Sequence, residues 1–456
     1  MNEALVVETL ILIGASALSI ALVSRAGLPA MLGYLLAGVL VGPYGFGIVA
    51  ASAGSRFLAD LGLILLMFMV GLEFSWAEMW ATSRAVFGAG GLQLVITSAC
   101  GAVLGHAFGM SWSVAALAGG ATAMCSTGIA LQQLQEQREL ARPHGRIATG
   151  ILLFQDLATL PFLVVIDSGG ATRALEFLPA LRQLLAAAAG LGGLLWLGRP
   201  MLRVALGWIG RRKSADLFLL AALLLALGIA YIAQKLGAAP TVGAFLAGVA
   251  VGESDLRHRV SVHLKPFRDM LLGLFFVTVG MQVDPKAIAA SPLQTLAWFG
   301  FFVLGKPALA VLAMRAARYD MMNCVRAAIV LAHASEFTLL IVTQAMAAAL
   351  MPTGSAQAIL VAAACAMGLA PGIIHNNRPI AVRALRTFAR ATQIRSNPPP
   401  GADRCQSAPY ANSHREIDLG QGDGSSIGEQ STLVAVPTGV RARLPVLTSK
   451  EGSIGG

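Results

Sequence analysis

Polar side chains are rare within the apolar stretches of this sequence, and six of them fall where they could do chemistry. They are Gln155, Asp156, Ser126, Thr127, Lys306 and Glu336. Insertion scales assign a charged residue at the centre of a membrane span a cost of about 2.5–3.5 kcal/mol, so an ionisable group there is by default a functional hypothesis. Carboxylate, hydroxyl and amide oxygens are also the atoms that bind hard cations.

Asp156, in the run GILLFQDLATLPFL at 150–163, is the strongest candidate. Burial favours the neutral form of a carboxyl group and a nearby cation favours the charged form, so such a group can exchange its proton close to neutral pH. The ionised group offers two oxygens to a cation, and protonation removes that charge. A proton and a cation then compete for one group. Such competition, at a site exposed to each side of a membrane in turn, is the physical basis of antiport.

A purely structural role for the same residues is the alternative. Asp156 and Lys306 could form one buried ion pair, and Glu336 could be a satisfied polar group between helices. The hydroxyls of Ser126 and Thr127, taken alone, are better explained as bonding back to helix carbonyls. For Asp156 the functional interpretation is favoured, because apolar residues often replace a buried ion pair without loss of stability.

The bulk composition places these residues in a polytopic membrane protein. The 456 residues are 56% hydrophobic and 12% charged, with a mean hydropathy of +0.71, whereas a soluble domain has about 25% charged residues. A water-soluble enzyme is therefore excluded, and no cofactor is predicted. The net charge of +10 indicates loop topology rather than nucleic-acid binding, because cytoplasmic loops of membrane proteins are rich in Lys and Arg.

Thirteen segments have about the length and apolarity that a helix needs to cross a bilayer. They lie near 5–24, 28–46, 57–75, 85–108, 111–135, 147–166, 183–198, 216–234, 238–253, 268–283, 292–314, 326–350 and 355–375. The seventh and ninth are short, so a twelve-span arrangement is the alternative. The predicted fold is all-α, with about 13 transmembrane helices in residues 1–380.

The basic residues of the loops predict the orientation. Seventeen Lys and Arg residues lie in the loops after the odd-numbered spans 1 to 11, and five lie in the loops after the even-numbered spans. This bias predicts a multi-pass inner-membrane protein with its N-terminus outside and its C-terminus in the cytoplasm. Residues 388–456 are rich in Pro, Gly and Ser, and are predicted to be a disordered cytoplasmic tail.

Two spans carry a matching cluster of small polar residues that weakens a helix. The clusters are MCSTG at 124–128 in span 5 and AHASE at 332–336 in span 12. Span 12 comes seven spans after span 5, an odd number, so the two helices run in opposite directions. Corresponding interrupted helices are typical of inverted-repeat transporters, with spans 1–6 and 8–13 as the repeats and span 7 as the connector.

Over residues 5–380 the chain resembles the Kef-type monovalent cation:proton antiporters, a branch of the sodium/hydrogen exchanger-like proteins. The matching stretches are GYLLAGVLVGP (33–43), LILLMFMVGLEF (63–74), CSTGIALQ (125–132), LLFQDLATLP (152–161), GAFLAGVAVGESDLRHRV (243–260), PFRDMLLGLFFVTVGMQVD (266–284) and ASEFTLL (334–340). LLFQD together with GLFFVTVGM is the most specific part of the match.

The resemblance implies a homodimer whose protomers each have a dimerisation part and a moving core. Two broken helices of the core would cross beside Asp156, which would bind the cation and the proton alternately. Ser126 and Thr127 would lie at the first crossover and Glu336 by the second. Lys306 would be the counter-charge of Asp156.

Departures from the family pattern bear on the ion and on regulation. Gln155 is typical of the Kef-type branch, which is associated with potassium, whereas sodium-exchanging relatives commonly carry a second acid there. Cys125 stands where a hydroxyl residue is usual, and His333 where Gln or a small polar residue is common. The tail does not resemble the nucleotide-binding domain of full-length Kef proteins, and RHRVSVHLKP at 257–266 lacks the acids of the gated members. Glutathione gating is therefore not expected.

The expected function is exchange of K⁺, or alternatively Na⁺, for H⁺ at Asp156. A cation channel is a second hypothesis, although Thr-Val-Gly at 241–243 and 278–280 does not continue as a carbonyl-lined potassium filter. A proton-coupled organic-solute permease is a third, and it would need a more polar and aromatic lining than these spans offer. The last alternative is a sensor or scaffold that does not transport.

Overall fold

The computed structural model describes residues 3–49, 53–74, 76–167, 215–236, 239–254 and 257–396. These residues form helices joined by short turns, and no strand occurs among them. The all-α prediction is therefore confirmed for this part of the chain. The expected seventh span, 183–198, lies outside the described residues, so the number of spans stays a prediction.

The first half of the chain contains helices α1 to α8, with a break between α6 and α7. Their bounds are α1 Glu3–Arg25, α2 Ala30–Val41, α3 Ala53–Glu73, α4 Trp76–Ala81, a π-helical segment Arg84–Gly90 that continues as α5 Gly91–Ala107, α6 Trp112–Ala123, α7 Thr127–Glu136 and α8 Pro143–Asp167.

The second half repeats this order of long and interrupted helices. Its helices are α9 Ala215–Lys235, α10 Pro240–Gly252, α11 Arg257–Met281, α12 Pro285–Ala290, α13 Pro292–Gly300, a π-helical segment Phe301–Gly305 that continues as α14 Lys306–Ala316, α15 Met321–Val330, α16 Glu336–Ala347, α17 Thr353–His375 and α18 Asn377–Ser396. The predicted interruptions in spans 5 and 12 are therefore present, between α6 and α7 and between α15 and α16.

Five helical stretches of the described residues are long and apolar enough to cross a bilayer by themselves. They are Arg84–Ala107, Trp112–Glu136, Pro143–Ile166, Pro292–Ala316 and Thr353–His375. Shorter apolar stretches are Leu10–Arg25, Ala30–Val41, Leu219–Lys235, Pro240–Gly252, Met321–Val330 and Glu336–Ala347. Of the five long stretches, Trp112–Glu136 contains the break between α6 and α7. An interrupted span exposes backbone groups that must find partners inside the protein, because a bilayer supplies none.

The helices pack into two groups. In the first, α3 packs against α10 and α11, and α2 packs against α1 and α11. In the second, α5 packs against α6 and α14, while α8 packs against the N-terminal π-helical segment and α15. Few contacts of the described residues join the two groups.

Two glycines allow α3 and α10 to approach each other closely. A Cβ on Gly71 would lie 2.0 Å from the carbonyl oxygen of Phe245, and one on Gly248 would lie 2.0 Å from that of Phe68. Small residues at such crossings let helix backbones pack tightly where lipid provides no hydrophobic driving force. Helices α3 and α10 of the first group thus pack backbone to backbone.

The C-terminal helix extends further than the sequence predicted. Helix α18 runs to Ser396, whereas disorder was expected from residue 388. This correction has a local cause, since FARATQIR at 388–395 contains no Gly or Pro and continues the helix that starts at Asn377. The rest of the expected tail, from residue 397, lies outside the described residues.

Candidate functional site

The two helix breaks cross each other. The N–H of Ser126, in the first break, donates to the carbonyl oxygen of Ala334, in the second, at 3.2 Å. Helices α6 and α15 end at this point, and α7 and α16 begin there. Because a helix carries partial positive charge at its N-terminus and partial negative charge at its C-terminus, the crossing brings together two ends of each sign.

Lys306 lies at the two negative helix ends. It is fully buried, and its Nζ donates to the carbonyl oxygens of Met124 and, at 2.7 Å, of His333. The ion pair between Lys306 and Asp156 expected from the sequence is not among the ion pairs of the described residues. Lys306 instead satisfies carbonyls that the breaks leave without helical partners, which corrects that expectation.

Asp156 lies near the positive end of α7. The hydroxyl of Thr127, the first residue of α7, lies 2.9 Å from Oδ2 and 3.1 Å from Oδ1 of Asp156. Helix α8 carries Asp156 against the break. A hydroxyl that faces a carboxylate donates to it, and can turn its lone pairs towards a cation if one binds.

Glu336 is the first residue of α16, close to the second positive helix end. Its side chain interacts with the hydroxyls of Ser126 and Ser335 and lies within electrostatic range of Asp156. Its Oε2 is buried, yet no donor among the described residues reaches it. The two acids thus share one region beside the first break.

The side chains of Gln155 and Gln93 form a hydrogen-bonded bridge across the first break. Oε1 of Gln155 accepts from the N–H of Cys125 at 2.8 Å, and Nε2 of Gln155 donates to Oε1 of Gln93 at 2.7 Å. The Nε2 of Gln93 donates in turn to the carbonyl of Ala123 at 3.3 Å. The backbone donor at one end and the backbone acceptor at the other fix the orientation of both amides.

This bridge changes the role that Gln155 was expected to have. Gln155 is 1% exposed, and both of its polar atoms are engaged by protein partners. The geometry therefore favours a structural role for Gln155, which binds backbone and side-chain groups at the first break, over a role in supplying an oxygen to the ion. Gln93 was not anticipated from the sequence, although one amide in the apolar run GLQLVITSA was a signal of it.

The two repeats present their break-binding side chains in the same way. Gln93 follows the π-helical segment Arg84–Gly90, and Lys306 follows directly on the π-helical segment Phe301–Gly305. Each lies on the helix that precedes a broken helix. Gln93 donates to the carbonyl of Ala123 at the first break, and Lys306 donates to one carbonyl at each break. π-Helical turns occur frequently at functional sites, and here each precedes a residue that supports the crossing.

Other groups complete the hydrogen bonding of the breaks. Thr338 donates to the carbonyl of Ala121 at 2.7 Å, and the Sγ of Cys125 lies 3.3 Å from the carbonyl oxygen of Leu331. The Nε2 of buried His333 lies 3.1 Å from the carbonyl oxygen of Ser126. Because a carbonyl only accepts, Nε2 carries the hydrogen, and His333 is a packed partner of the backbone.

A cavity of about 590 Å³ lies between the two groups of helices. Residues of α3, α8, α9, α10 and α16 line it, with Asp60, Gln234 and Gln344 among its polar groups. Leu163 and Leu340, also in its wall, follow Asp156 by seven residues and Glu336 by four, which is about 10 Å and 6 Å along a helix at 1.5 Å per residue. The cavity thus approaches the acidic pair from one side of the protein.

The sequence model of the family described as "Sodium/hydrogen exchanger, transmembrane" matches residues 12–376. This chain belongs to that family. The match covers both helix breaks and all six candidate residues, so the resemblance noted from the sequence is confirmed. Members of the sodium/hydrogen exchanger family are transporters and not enzymes.

Several curated proteins with similar sequences are named potassium-efflux system proteins. The chain is 35% identical over 385 residues to the glutathione-regulated potassium-efflux system protein KefC of Cronobacter sakazakii. It is 34% identical over 381 residues to that of Klebsiella pneumoniae and 33% over 375 residues to that of Escherichia coli O45:K1. The matches cover 81–82% of this chain and 60% of each relative, so the chain spans less than two thirds of their length.

A solved antiporter has the same fold. The structure of the sodium proton antiporter MjNhaP1 from Methanocaldococcus jannaschii at pH 8 aligns with a TM-score of 0.57 and 15% identity, covering 83% of this chain and 99% of that one. An electron-microscopy map of the same antiporter aligns with a TM-score of 0.54. These alignments confirm the antiporter fold predicted from the sequence.

Proposed function

We propose that this member of the sodium/hydrogen exchanger family exchanges a monovalent cation for protons across a membrane, with Asp156 as the binding group. The observation that carries the proposal is the contact of both Asp156 carboxylate oxygens with the Thr127 hydroxyl at the start of α7. An ionised Asp156 would bind the cation, and a protonated Asp156 would release it. No catalytic activity and no cofactor form part of this function.

Glu336 gives the site a second carboxylate. Two neighbouring carboxylates repel each other when both are ionised, so either a proton or a cation between them relieves the repulsion. The buried Oε2 of Glu336, which no donor of the described residues reaches, is available to such a cation. Oxygens of Asp156, Thr127, Ser126 and Glu336 would together form the binding site, with Lys306 holding the breaks from the other side.

Movement between the two helix groups would expose the site to each side in turn. The sparse contacts between the groups and the cavity of about 590 Å³ between them support a core that moves as a body. The exposed carboxylate of Asp60 in the cavity wall would attract cations. The first group of helices would form the interface of a homodimer, as the family resemblance implies.

Potassium is the preferred cation in this proposal, with sodium second. The curated relatives are named potassium-efflux proteins, and Gln155 keeps the site free of a further acid. The protein would lie in the inner membrane with its basic loops and C-terminus in the cytoplasm. Glutathione gating is not part of the proposal, because α11 begins with RHRVSVHLKP, which has no acid.

The test is proton flux in proteoliposomes that contain the full chain. Adding K⁺, Na⁺ or Li⁺ to one side, at several concentrations and with or without an imposed voltage, measures cation selectivity and charge movement. We expect cation-dependent proton flux that saturates and is strongest with K⁺. Conductance through single proteins would instead indicate a channel, and flux that is driven only by organic solutes would indicate a permease.

A further inference from the structure

A second, strongly polar cavity lies at the ends of several helices remote from the acidic pair. Its volume is about 420 Å³, within the range of roughly 300–1,000 Å³ that is common for small-molecule sites. The residues that line it are Glu139, Arg142, Pro143, His144, Asn323, Arg326 and Arg378. The cavity thus joins the loop between α7 and α8, the first turns of α8 and α15, and the start of α18.

The carboxylate of Glu139, in the cavity wall, already accepts hydrogen bonds from protein side chains. Oε1 of Glu139 accepts from Nη2 of Arg326 at 2.5 Å, and Oε2 lies 3.0 Å from Nε2 of His144 and 3.1 Å from Nδ2 of Asn377. Burial raises the pKa of the Glu139 carboxyl group, but these hydrogen bonds outweigh it and hold the pKa below its usual value. Glu139 is therefore ionised at neutral pH and neutralises Arg326.

Two arginines of the cavity remain without a counter-charge. Among the described residues, the side chains of Arg142 and Arg378 form no hydrogen bond or ion pair, and both are exposed. Arg326, by contrast, is fixed by Glu139 and by Asn377, whose Oδ1 accepts from its Nε at 2.7 Å. The cavity thus contains one arginine that is held by protein partners and two exposed arginines that are not, and its net charge is positive.

The helix that begins at the cavity is rich in basic residues as well. Helix α18 directly follows the last apolar helix of the described residues and contains five arginines and no acid. They are Arg378, Arg383, Arg386, Arg390 and Arg395. A basic helix next to a membrane span attracts phosphate groups, and Arg side chains bind phosphate oxygens in a bidentate manner.

We propose that this cavity binds a phosphate-bearing anion, with Arg142 and Arg378 as its main ligands. The anion would come either from the headgroup of an anionic lipid or from a soluble phosphate compound. Bound there, it would link the helix ends of both broken spans to α18. This site does not depend on the proposed antiport, because its residues are separate from the acidic pair.

The test uses the purified full chain and the double variant Arg142→Gln/Arg378→Gln. The matched control is Arg146→Gln/Arg383→Gln, which removes two exposed arginines of α8 and α18 from outside the cavity. The probes are inorganic pyrophosphate, against potassium chloride of equal ionic strength, and vesicles of phosphatidylglycerol in phosphatidylcholine, against phosphatidylcholine alone. The readouts are binding and the melting temperature of the protein.

We expect at least one probe to bind the wild type and the control variant and to raise their melting temperatures. Binding to the double variant should be about tenfold weaker or more, because two charge-assisted contacts are lost. A response to phosphatidylglycerol alone assigns the site to a lipid headgroup, and a response to pyrophosphate alone assigns it to a soluble phosphate. The proposal is overturned if neither probe acts on the wild type, or if the two double variants respond equally.

Discussion

The hydroxyl of Thr127 lies within hydrogen-bond distance of both carboxylate oxygens of Asp156, at 3.1 Å and 2.9 Å. A hydroxyl has one hydrogen, so it can donate to only one of these oxygens at a time. The contact links the first residue of a half-helix to the acid on the neighbouring helix. The end of α7, the hydroxyl and the carboxylate are therefore directly coupled.

Thr127→Val removes this hydroxyl at nearly constant volume. We expect the apparent affinity for the transported cation to fall about tenfold, which corresponds to about 1.4 kcal/mol and is typical of one hydrogen bond to a charged group. Thr127→Ser, which keeps the hydroxyl, should restore most of it. The concentration dependence of cation-driven proton flux checks this, and equal affinities for the Val and Ser variants would contradict it.

Lys306→Met leaves the carbonyls of Met124 and His333 without their donor. Each unpaired buried group costs about 1–3 kcal/mol, so we expect the melting temperature to fall by several degrees. Lys286→Met, which removes an exposed lysine, is the control and should have little effect. A Lys306→Met protein as stable as this control would show that Lys306 does not hold the crossing together.

Gln93→Leu breaks the amide bridge across the first break. We expect the free energy of unfolding to fall by about 1–3 kcal/mol, because Oε1 and Nε2 of Gln93 each bind a buried partner. The control is Gln132→Leu, on the exposed face of α7, which should leave stability nearly unchanged. The cation concentration for half-maximal flux should stay within about twofold of the wild type, because the amide bridge positions the backbone of the break and does not bind the ion itself. A large change in that concentration, with stability intact, would instead place the amides at the ion.

The Glu139 cluster makes a pH-dependent contribution to stability. Because the folded-state pKa of Glu139 lies below the ordinary value of 4.5, its stabilising contribution is present above that value and is lost as the pH falls through the folded-state pKa. Glu139→Gln should lower the free energy of unfolding by about 1 kcal/mol at neutral pH. Melting temperatures at a series of pH values should show this difference shrinking below pH 4.5.

The control for that series is Glu136→Gln, which changes an exposed acid one helical turn earlier. Its side chain binds only Gln132 and Gln133 among the described residues, so it should leave stability nearly unchanged at every pH. A Glu139→Gln difference that grows on acidification would reverse the sign required by the hydrogen bonds to Glu139.

The sequence was sufficient to locate the helix breaks and the main acid. MCSTG and AHASE combine small and polar residues within apolar runs, and this local signal is visible without a structure. The same holds for Asp156, because a carboxylate within a span is costly and stands out. The pairing of the two breaks could also be predicted, since it depends on the order and direction of the spans.

The partners of the buried polar groups could not be predicted in this way. Opposite charges suggested that Lys306 pairs with Asp156. In the structure, the ammonium group of Lys306 instead donates to backbone carbonyls that the two breaks leave without helical partners. Gln93 and Gln155 are 62 residues apart, and no local pattern connects them. Such contacts depend on how several helices cross, which hydrophobic periodicity does not encode.

Cation-driven proton flux in proteoliposomes containing Asp156→Asn shows whether Asp156 carries the exchange. Asp269→Asn, which changes an exposed acid paired with Arg268, controls for the substitution itself. We expect the Asp156→Asn protein to insert normally and to carry no exchange, and the Asp269→Asn protein to exchange at the wild-type rate. Normal exchange by the Asp156→Asn protein would contradict the account, because no group at this position could then alternate between a proton and a cation.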